Sequence, residues 1–348
     1  MKKISAIGHK FYLENPDLLR INWISTLACN YRCPYCYINI TPNTFNVDSD
    51  LKYRDSHLTI DKVNNLINNI NLNYSDRKEI DFTISGGEPT EIPILFDIIN
   101  MVSNNIKNLK NLRVHTNFSK DINYWESFAH IFKKNEHINF TIEASLHLDY
   151  INNKKKLYDY LDKLLFVRNK DILVDSWTMI NNENKDKAIE NSKIINEKIP
   201  KLTKYRLIHD LYTGKPSLNY SELEQLELEE EKNRNTFILY NDGSIEYKTQ
   251  NELLSDRKNS YKHMLCLRGS NQLKIESTGE VSLSEYDNLC NLNNRKKVNF
   301  YNEKCFIKKC FPTICQRKYC VQPGDMHILK VDIDTYIKLK NNNFKYLR

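Results

Sequence analysis

No stretch of the 348-residue sequence approaches the roughly 18 consecutive apolar residues that cross a bilayer, which excludes a helical membrane span. A secretory signal is also missing. The N-terminal MKKISAIGHKFYLENPDLLRIN meets charge and proline before the roughly 7 to 15 apolar residues of a signal core can form. These absences assign the chain to the cytoplasm. An even complement of cysteines is lacking too: nine thiols in a reducing compartment point to metal or redox chemistry and not to a cross-linked framework. Finally, there is no localised basic face. The 51 Lys and Arg against 44 Asp and Glu leave a formal charge of +7, but the lysines are spread along the chain and the 21 tyrosines are scattered. A single-strand binder interleaves such residues on one surface, so a zinc-stabilised nucleic-acid-binding protein is only a remote alternative.

What is present is a core. At 40% apolar residues, the chain can furnish one large α/β domain and a smaller one. From residue 21 to about 212, short β-rich runs alternate with amphipathic stretches. Strands are expected at INWISTLA (21–28), IDFTIS (80–85), NLRVHTN (111–117), INFTIEASLH (138–147), ILVDSWTMI (172–180) and KYRLIHDLY (204–212). Helices are expected between them. In TIDKVNNLINNI, Thr59 can cap while Val63, Leu66, Ile67 and Ile70 share a face. PILFDIINMVSNNIK, YWESFAHIFKK and KKLYDYLDKLLFVR repeat the pattern. Six such units predict a partial (β/α)6 TIM-like barrel, with functional loops at the C-terminal ends of its strands.

LACNYRCPYC, residues 27 to 36, follows the first of these strands and holds Cys29, Cys33 and Cys36. Thiolates at i, i+4 and i+7 on a tight loop can turn toward one centre, and soft sulfur selects zinc, copper(I) or an iron-sulfur cluster. The spacing alone leaves open a structural zinc site completed from elsewhere. SGGEPTE, residues 85 to 91, stands immediately after the second strand, where Gly86 and Gly87 free the backbone for close approach and Glu88 offers a carboxylate. A zinc knuckle has no use for that segment.

CxxxCxxC after the first strand and GGEP after the second, with an aromatic before the third cysteine, resemble the radical S-adenosylmethionine (radical SAM) superfamily over roughly residues 20 to 215. The resemblance implies that Cys29, Cys33 and Cys36 bind three irons of a 4Fe-4S cluster. The fourth iron is left open for the amino and carboxylate groups of S-adenosylmethionine. It further implies an enzyme in which one electron cleaves that cofactor, and the 5′-deoxyadenosyl radical so formed takes a hydrogen atom from substrate. Tyr35 matches the aromatic near the adenine, and Gly86, Gly87 and Glu88 match the segment that receives the ammonium. Asn117 and Ser145, ending the third and fourth strands, match positions that contact ribose and carboxylate. His115 and His147 lie near the same rim and read as structural residues within reach of substrate. A reductant such as flavodoxin or ferredoxin is implied as partner.

After residue 212 the pattern changes. The acidic SELEQLELEEEK reads as a solvated helix, TFILYNDGSIEYKT as a hairpin closed by Asn241-Asp242-Gly243, and NQLKIESTGEVSLSEY as a second hairpin turning at Thr278-Gly279. Six cysteines at positions 266, 290, 305, 310, 315 and 320 flank or follow it, predicting a small cysteine-rich α+β module stapled by metal. Its opening resembles the auxiliary-cluster modules called SPASM and twitch, although Ser284 stands where those carry a cysteine. One auxiliary 4Fe-4S cluster is expected, held by Cys266, Cys310, Cys315 and Cys320, with Cys290 and Cys305 as alternates. The expected division is a barrel at 1–215, a connecting helix and hairpin at 216–262, and the auxiliary module with the tail at 263–348. Family members with such modules mostly crosslink, epimerise or oxidise peptides, and a smaller group transforms carbohydrates or nucleotide-like molecules. Only about 20 residues precede the first expected strand, too few for a leader-peptide-binding domain, which weakens the peptide expectation without removing it, since a partner protein can supply recognition.

Overall fold

The computed structural model describes residues 3–10, 17–36, 58–181, 183–207, 236–248, 252–253, 260–267, 272–282, 298–305, 313–314 and 329–341. Six strands run parallel in chain order: β2 (Leu18–Thr26), β3 (Glu79–Gly86), β4 (Leu109–Thr116), β5 (Asn139–Leu146), β6 (Leu173–Ile180) and β7 (Thr203–Leu207). The helices between them are α1 (Ile60–Tyr74), α2 (Leu95–Asn105), α3 (Ile122–Lys134), α4 (Lys154–Arg168) and α5 (Lys185–Lys198). Residues 208–212, the end of the last expected strand, lie outside the described residues, as does the acidic SELEQLELEEEK.

The two-residue period of a strand explains the layers. Ile21 and Trp23, Ile80, Phe82 and Ile84, Leu112 and Val114, and Ile142 and Ala144 are all buried in one apolar cluster with the helices. The alternating positions are polar: Arg20 and Asn22, Asp81 and Thr83, Arg113 and His115, Glu143 and Ser145. Helix starts follow capping chemistry. Thr59 accepts from Lys62 N at 3.4 Å, Asp121 from Tyr124 N at 2.9 Å and Asn153 from Lys156 N at 3.0 Å. Val63, Leu66, Ile67 and Ile70 are buried on one face of α1, as their spacing predicts. Helix α5 is weakly amphipathic because its buried positions include Asn191 and Ser192, the latter bonded to Thr178 at 3.1 Å.

Two strands join the molecule in ways that local periodicity does not reveal. β11 (Gln272–Ile275), from the second expected hairpin, adds as a seventh parallel strand beside β2, and β12 (Val281–Ser282) closes that edge antiparallel. β1 (Ile4–His9), upstream of the first expected strand, is an inner strand of a separate six-stranded sheet with β8 (Thr236–Tyr240), β9 (Ile245–Lys248), β10 (Leu265–Cys266), β13 (Thr313–Ile314) and β14 (Lys330–Val331). The β8–β9 hairpin turns at Gly243, as read from the sequence. A last helix, α6, spans Ile333–Asn341. Among the described residues no helix is long and apolar enough to cross a membrane.

Asparagines join α1 to the segment 299–305. Asn65 donates to Tyr301 O at 3.0 Å, and Asn73 donates to Cys305 O at 2.7 Å. Between them Asn69, 1% exposed, donates to Phe300 O at 3.0 Å and Asn302 O at 2.9 Å while its carbonyl accepts Cys305 N at 2.7 Å. Spacing of i, i+4, i+8 puts all three on one helix face, and a neutral amide offers both donor and acceptor to bare backbone. Trp23 Nε1 adds a bond to Tyr301 Oη at 2.9 Å. Replacing Asn69 by Leu strands three backbone groups, the Phe300 carbonyl among them fully buried, so it is expected to cost about 1–3 kcal/mol in urea unfolding. Asn65→Ala, which forfeits one bond, should cost about 0.5–1.5 kcal/mol. Equal midpoints for the two variants would show that Asn69 is not the centre of this seam.

Candidate active site

The cysteine loop leaves β2 after Thr26 and is seated on the end of β3. Gly87 N donates to Thr26 O at 2.8 Å and Glu88 N to Ala28 O at 2.7 Å. This approach requires two glycines. Gly86 has φ of +136°, and a Cβ on Gly86 or Gly87 would overlap the carbonyl oxygen of Thr26 or Ala28.

Glu88 then points inward and is fully buried. Its Oε1 accepts from Thr90 N at 3.1 Å, Thr90 Oγ1 at 2.6 Å and Thr116 Oγ1 at 2.7 Å, and its Oε2 accepts from Asn117 N at 2.5 Å. Burial pushes the carboxyl's pKa up, and the hydrogen bonds from Asn117, Thr90 and Thr116 oppose it. The carboxylate therefore braces the end of β3 against the end of β4. Asn117, placed by that brace, donates to Asn30 Oδ1 at 2.7 Å and stands 3.9 Å from Cys29 Sγ, while Asn30 reaches Ser119 Oγ at 2.8 Å.

The segment after β5 clasps the loop from the other side. Tyr150 stacks on Tyr31 with centroids 3.7 Å apart and rings 3° from parallel, and its hydroxyl accepts the Arg32 N–H. His147 Nδ1 lies 2.9 Å from Tyr35 Oη and 3.4 Å from Cys33 Sγ, and Asp149 is near the Tyr35 hydroxyl. Burial pushes the Cys29 thiol up to about 11 and that of Cys33 to about 12, with the neighbouring thiols adding to both. Burial lowers His147 to about 4, so the ring is neutral at physiological pH. A cation that binds sulfur removes the cost of ionising these thiols. Among the described residues, no three His, Cys, Asp or Glu side chains form a group that could hold a single metal ion.

Cys29, Cys33, Cys36, Tyr35, Gly86, Gly87, Glu88 and Asn117 thus meet at the C-terminal ends of β2, β3 and β4, and Ser145 is half-buried at the end of β5. Cys266 lies elsewhere, on β10 of the six-stranded sheet. Cys305 is held on α1, its thiol donating to Asn299 O at 2.8 Å. Cys290, Cys310, Cys315, Cys320 and Ser284 lie outside the described residues. Sequence reading missed Asn30, Asp149 and the Tyr31–Tyr150 stack, and gave His147 no thiol partner. A run of polar residues after a strand, LHLDY, was the available signal.

Below these loops the polar sheet face is laced with ion pairs. His115 Nε2 meets Glu143 Oε2 at 2.9 Å, Arg113 meets Glu143 at 3.3 Å, Arg20 meets Asp81 at 3.6 Å and Lys204 meets Asp175 at 3.4 Å. Positive and negative groups balance along this face, so it suits a polar molecule without demanding one sign of charge.

Residues 23–226, more than half of the chain, match the family model described as Radical SAM superfamily. Among solved structures, polyhistidine-tagged anSMEcpe with bound AdoMet is similar at a TM-score of 0.51 and 14% identity, covering 82% of this chain and 75% of that one. Native anSMEcpe with bound AdoMet and Cp18Cys peptide is similar at a TM-score of 0.51 and 14% identity, covering 82% and 78%. Both are likenesses of fold. No curated protein matches.

The brace at Glu88 has a consequence without any cofactor. Glu88→Gln turns an NH2 toward N–H and O–H donors, and should lower the stability of the apoprotein by about 1–3 kcal/mol, read as a lower urea midpoint at unchanged slope. A wild-type midpoint would show that the carboxylate does not brace the loop.

Proposed function

The chain belongs to the radical SAM superfamily, and from that premise we propose that Cys29, Cys33 and Cys36 hold three irons of a 4Fe-4S cluster whose fourth iron receives S-adenosylmethionine. When bound and reduced, that cluster supplies the electron that splits the cofactor into methionine and a 5′-deoxyadenosyl radical, which takes a hydrogen atom from substrate. The observation that carries the proposal is the fastening of the backbone that leads into the three-thiol loop onto Gly87 and Glu88 at the C-terminal end of a parallel sheet, a contact that glycines at 86 and 87 make possible. The donor set fits. Soft sulfur suits iron-sulfur chemistry, and Cys33 has the His147 ring nitrogen beside it, a group able to donate to a thiolate.

The chain's own residues bind and orient. Tyr35, next to the third cysteine and stacked on His147, would meet the adenine, and Gly86, Gly87 and Glu88 form the segment that receives the ammonium. Asn117 and Ser145 present polar groups for ribose and carboxylate at adjacent strand ends. Glu88 contributes to the ammonium pocket through the backbone and the Asn117 segment that it fixes.

We further propose one auxiliary 4Fe-4S cluster on Cys266, Cys310, Cys315 and Cys320, as in SPASM and twitch modules. Register supports this set: Cys266 is opposite Thr313, which lies between Cys310 and Cys315 in the chain. Cys305, bonded to Asn299 and held by Asn69 and Asn73, is a weaker alternate, and Cys290 is the other. Flavodoxin or ferredoxin would be the reductant, in the cytoplasm.

The proposed reaction is peptide or protein modification by crosslinking, epimerisation or oxidation. The fold is shared with anSMEcpe, whose structure holds AdoMet and a peptide. A second reading, radical oxidation or rearrangement of a carbohydrate or nucleotide-like molecule, is favoured by the charge-paired sheet face around Arg113, His115 and Glu143.

Anaerobically reconstituted protein with a strong reductant should release 5′-deoxyadenosine, and replacing Cys29, Cys33 and Cys36 together by Ala should reduce it to background. Persisting cleavage in that variant would refute the ligand assignment. Substrate class is read by adding extracts of cells grown in heavy water, divided into peptide and small-molecule fractions. Deuterium appearing in 5′-deoxyadenosine only with the peptide fraction supports peptide modification, and only with the small-molecule fraction supports the second reading.

A further inference from the structure

We propose that His147 is a positioning residue that donates a hydrogen bond to the Cys33 sulfur and thereby raises the reduction potential of the cluster this thiol ligates, with Tyr35 holding the ring in place. This rests on the cluster assignment above.

The geometry is built from the turn after β5. Tyr150 N and Ile151 N both donate to His147 O, at 3.1 and 2.9 Å, so the chain doubles back over the cysteine loop. There the His147 ring lies nearly parallel to Tyr35, centroids 6.1 Å apart and 16° between planes, and edge-on to Tyr31 at 5.9 Å and 86°. Three contacts on one ring leave it little freedom to turn. Nδ1 is thereby aimed at the gap between Tyr35 Oη, 2.9 Å away, and Cys33 Sγ, 3.4 Å away.

The chemistry of a ligated thiol then sets the direction. A ligated Cys33 has no proton and is an acceptor only, so the 3.4 Å approach of Nδ1 to Sγ is a hydrogen bond when the ring proton sits on Nδ1. In that tautomer the Tyr35 oxygen, 2.9 Å from Nδ1, accepts from the same N–H. Hydrogen bonds to cluster sulfurs stabilise the more electron-rich, reduced state.

A ring serving only as packing would behave differently, and three variants separate the roles. His147→Phe keeps an aromatic but loses the donor, His147→Asn keeps an N–H near the position of Nδ1, and Tyr35→Phe removes the hydroxyl that orders the ring. Each is reconstituted anaerobically without S-adenosylmethionine, assayed for iron and sulfide, titrated by EPR, and examined by pulsed EPR for nitrogen coupling to the reduced cluster. The expected result is wild-type iron content in His147→Phe, a midpoint shifted to more negative potential, and nitrogen coupling present in the wild type and lost in the variant. His147→Asn should titrate close to wild type, and Tyr35→Phe should shift in the same direction by less. If His147→Phe fails to load iron, a loaded His147→Asn with near wild-type potential still supports the donor role. A wild-type potential in loaded His147→Phe, or failure of both His147 variants to load, overturns it. Absence of iron in the wild-type protein would instead sink the cluster assignment itself.

Discussion

Everything at the mouth of the sheet depends on how closely the end of β3 can approach the backbone that leaves β2. Two hydrogen bonds, Gly87 to Thr26 and Glu88 to Ala28, fasten the cysteine loop to its neighbour strand, and they form only because no side chain intervenes at positions 86 and 87. The next residue repeats the operation toward the following strand. Glu88 carries a carboxylate into a dry interior, a costly act offset by four donors from Thr90, Thr116 and Asn117. Three consecutive residues thus align three strand ends, and the thiols inherit their placement from backbone contacts instead of from one another.

That arrangement distributes the work of holding the loop. Cys29 has Asn117 nearby from β4, and Cys33 has His147 from the turn after β5. The loop itself is clamped by the Tyr31–Tyr150 stack and the bond from Arg32 N–H to the Tyr150 hydroxyl. A loop of ten residues carrying three closely spaced thiols would not hold a fixed shape alone; a scaffold of four strands gives it one. The sheet's polar face continues the theme below, where each charged group meets an opposite charge and the surface stays neutral but hydrophilic.

Much of this was legible in order of residues. Alternation of apolar and polar residues marks β3 and β5, and a 3.6-residue apolar stripe with Thr59 ahead of it marks α1. The meeting of CxxxCxxC with GGEP was also readable, because βα units place successive loops at one end of a parallel sheet. What escaped belongs to long-range pairing. β1 is six residues without a two-residue period, because both of its faces are buried, Ala6 in one apolar cluster and Ile7 in another. β11 looks like half of an ordinary hairpin, and nothing local says that it extends the parallel sheet beside β2. Asparagines at 65, 69 and 73 resemble compositional background, since 348 residues rich in Asn contain many such spacings. Their meaning lies in carbonyls more than 200 positions away.

The strand that carries the thiol loop is also the strand through which the two sheets communicate. β2 continues from β1 after a short connection, so the same run of chain is an inner strand of the six-stranded sheet and then an inner strand of the eight-stranded one. From β1 the hydrogen-bonded path leads to β14 and then β10, which bears Cys266, and from β2 it leads to β11 and the turn at Gly279. That turn packs on Asn299 and Tyr301, and Tyr301 is bonded to Trp23 within β2. The cysteine-bearing C-terminal part is therefore referenced twice to one strand, once through each sheet. A displacement of β2 large enough to disturb Cys29, Cys33 and Cys36 would have to break ladder bonds on both sides of it, and this makes β2 the reference strand for the thiol loop.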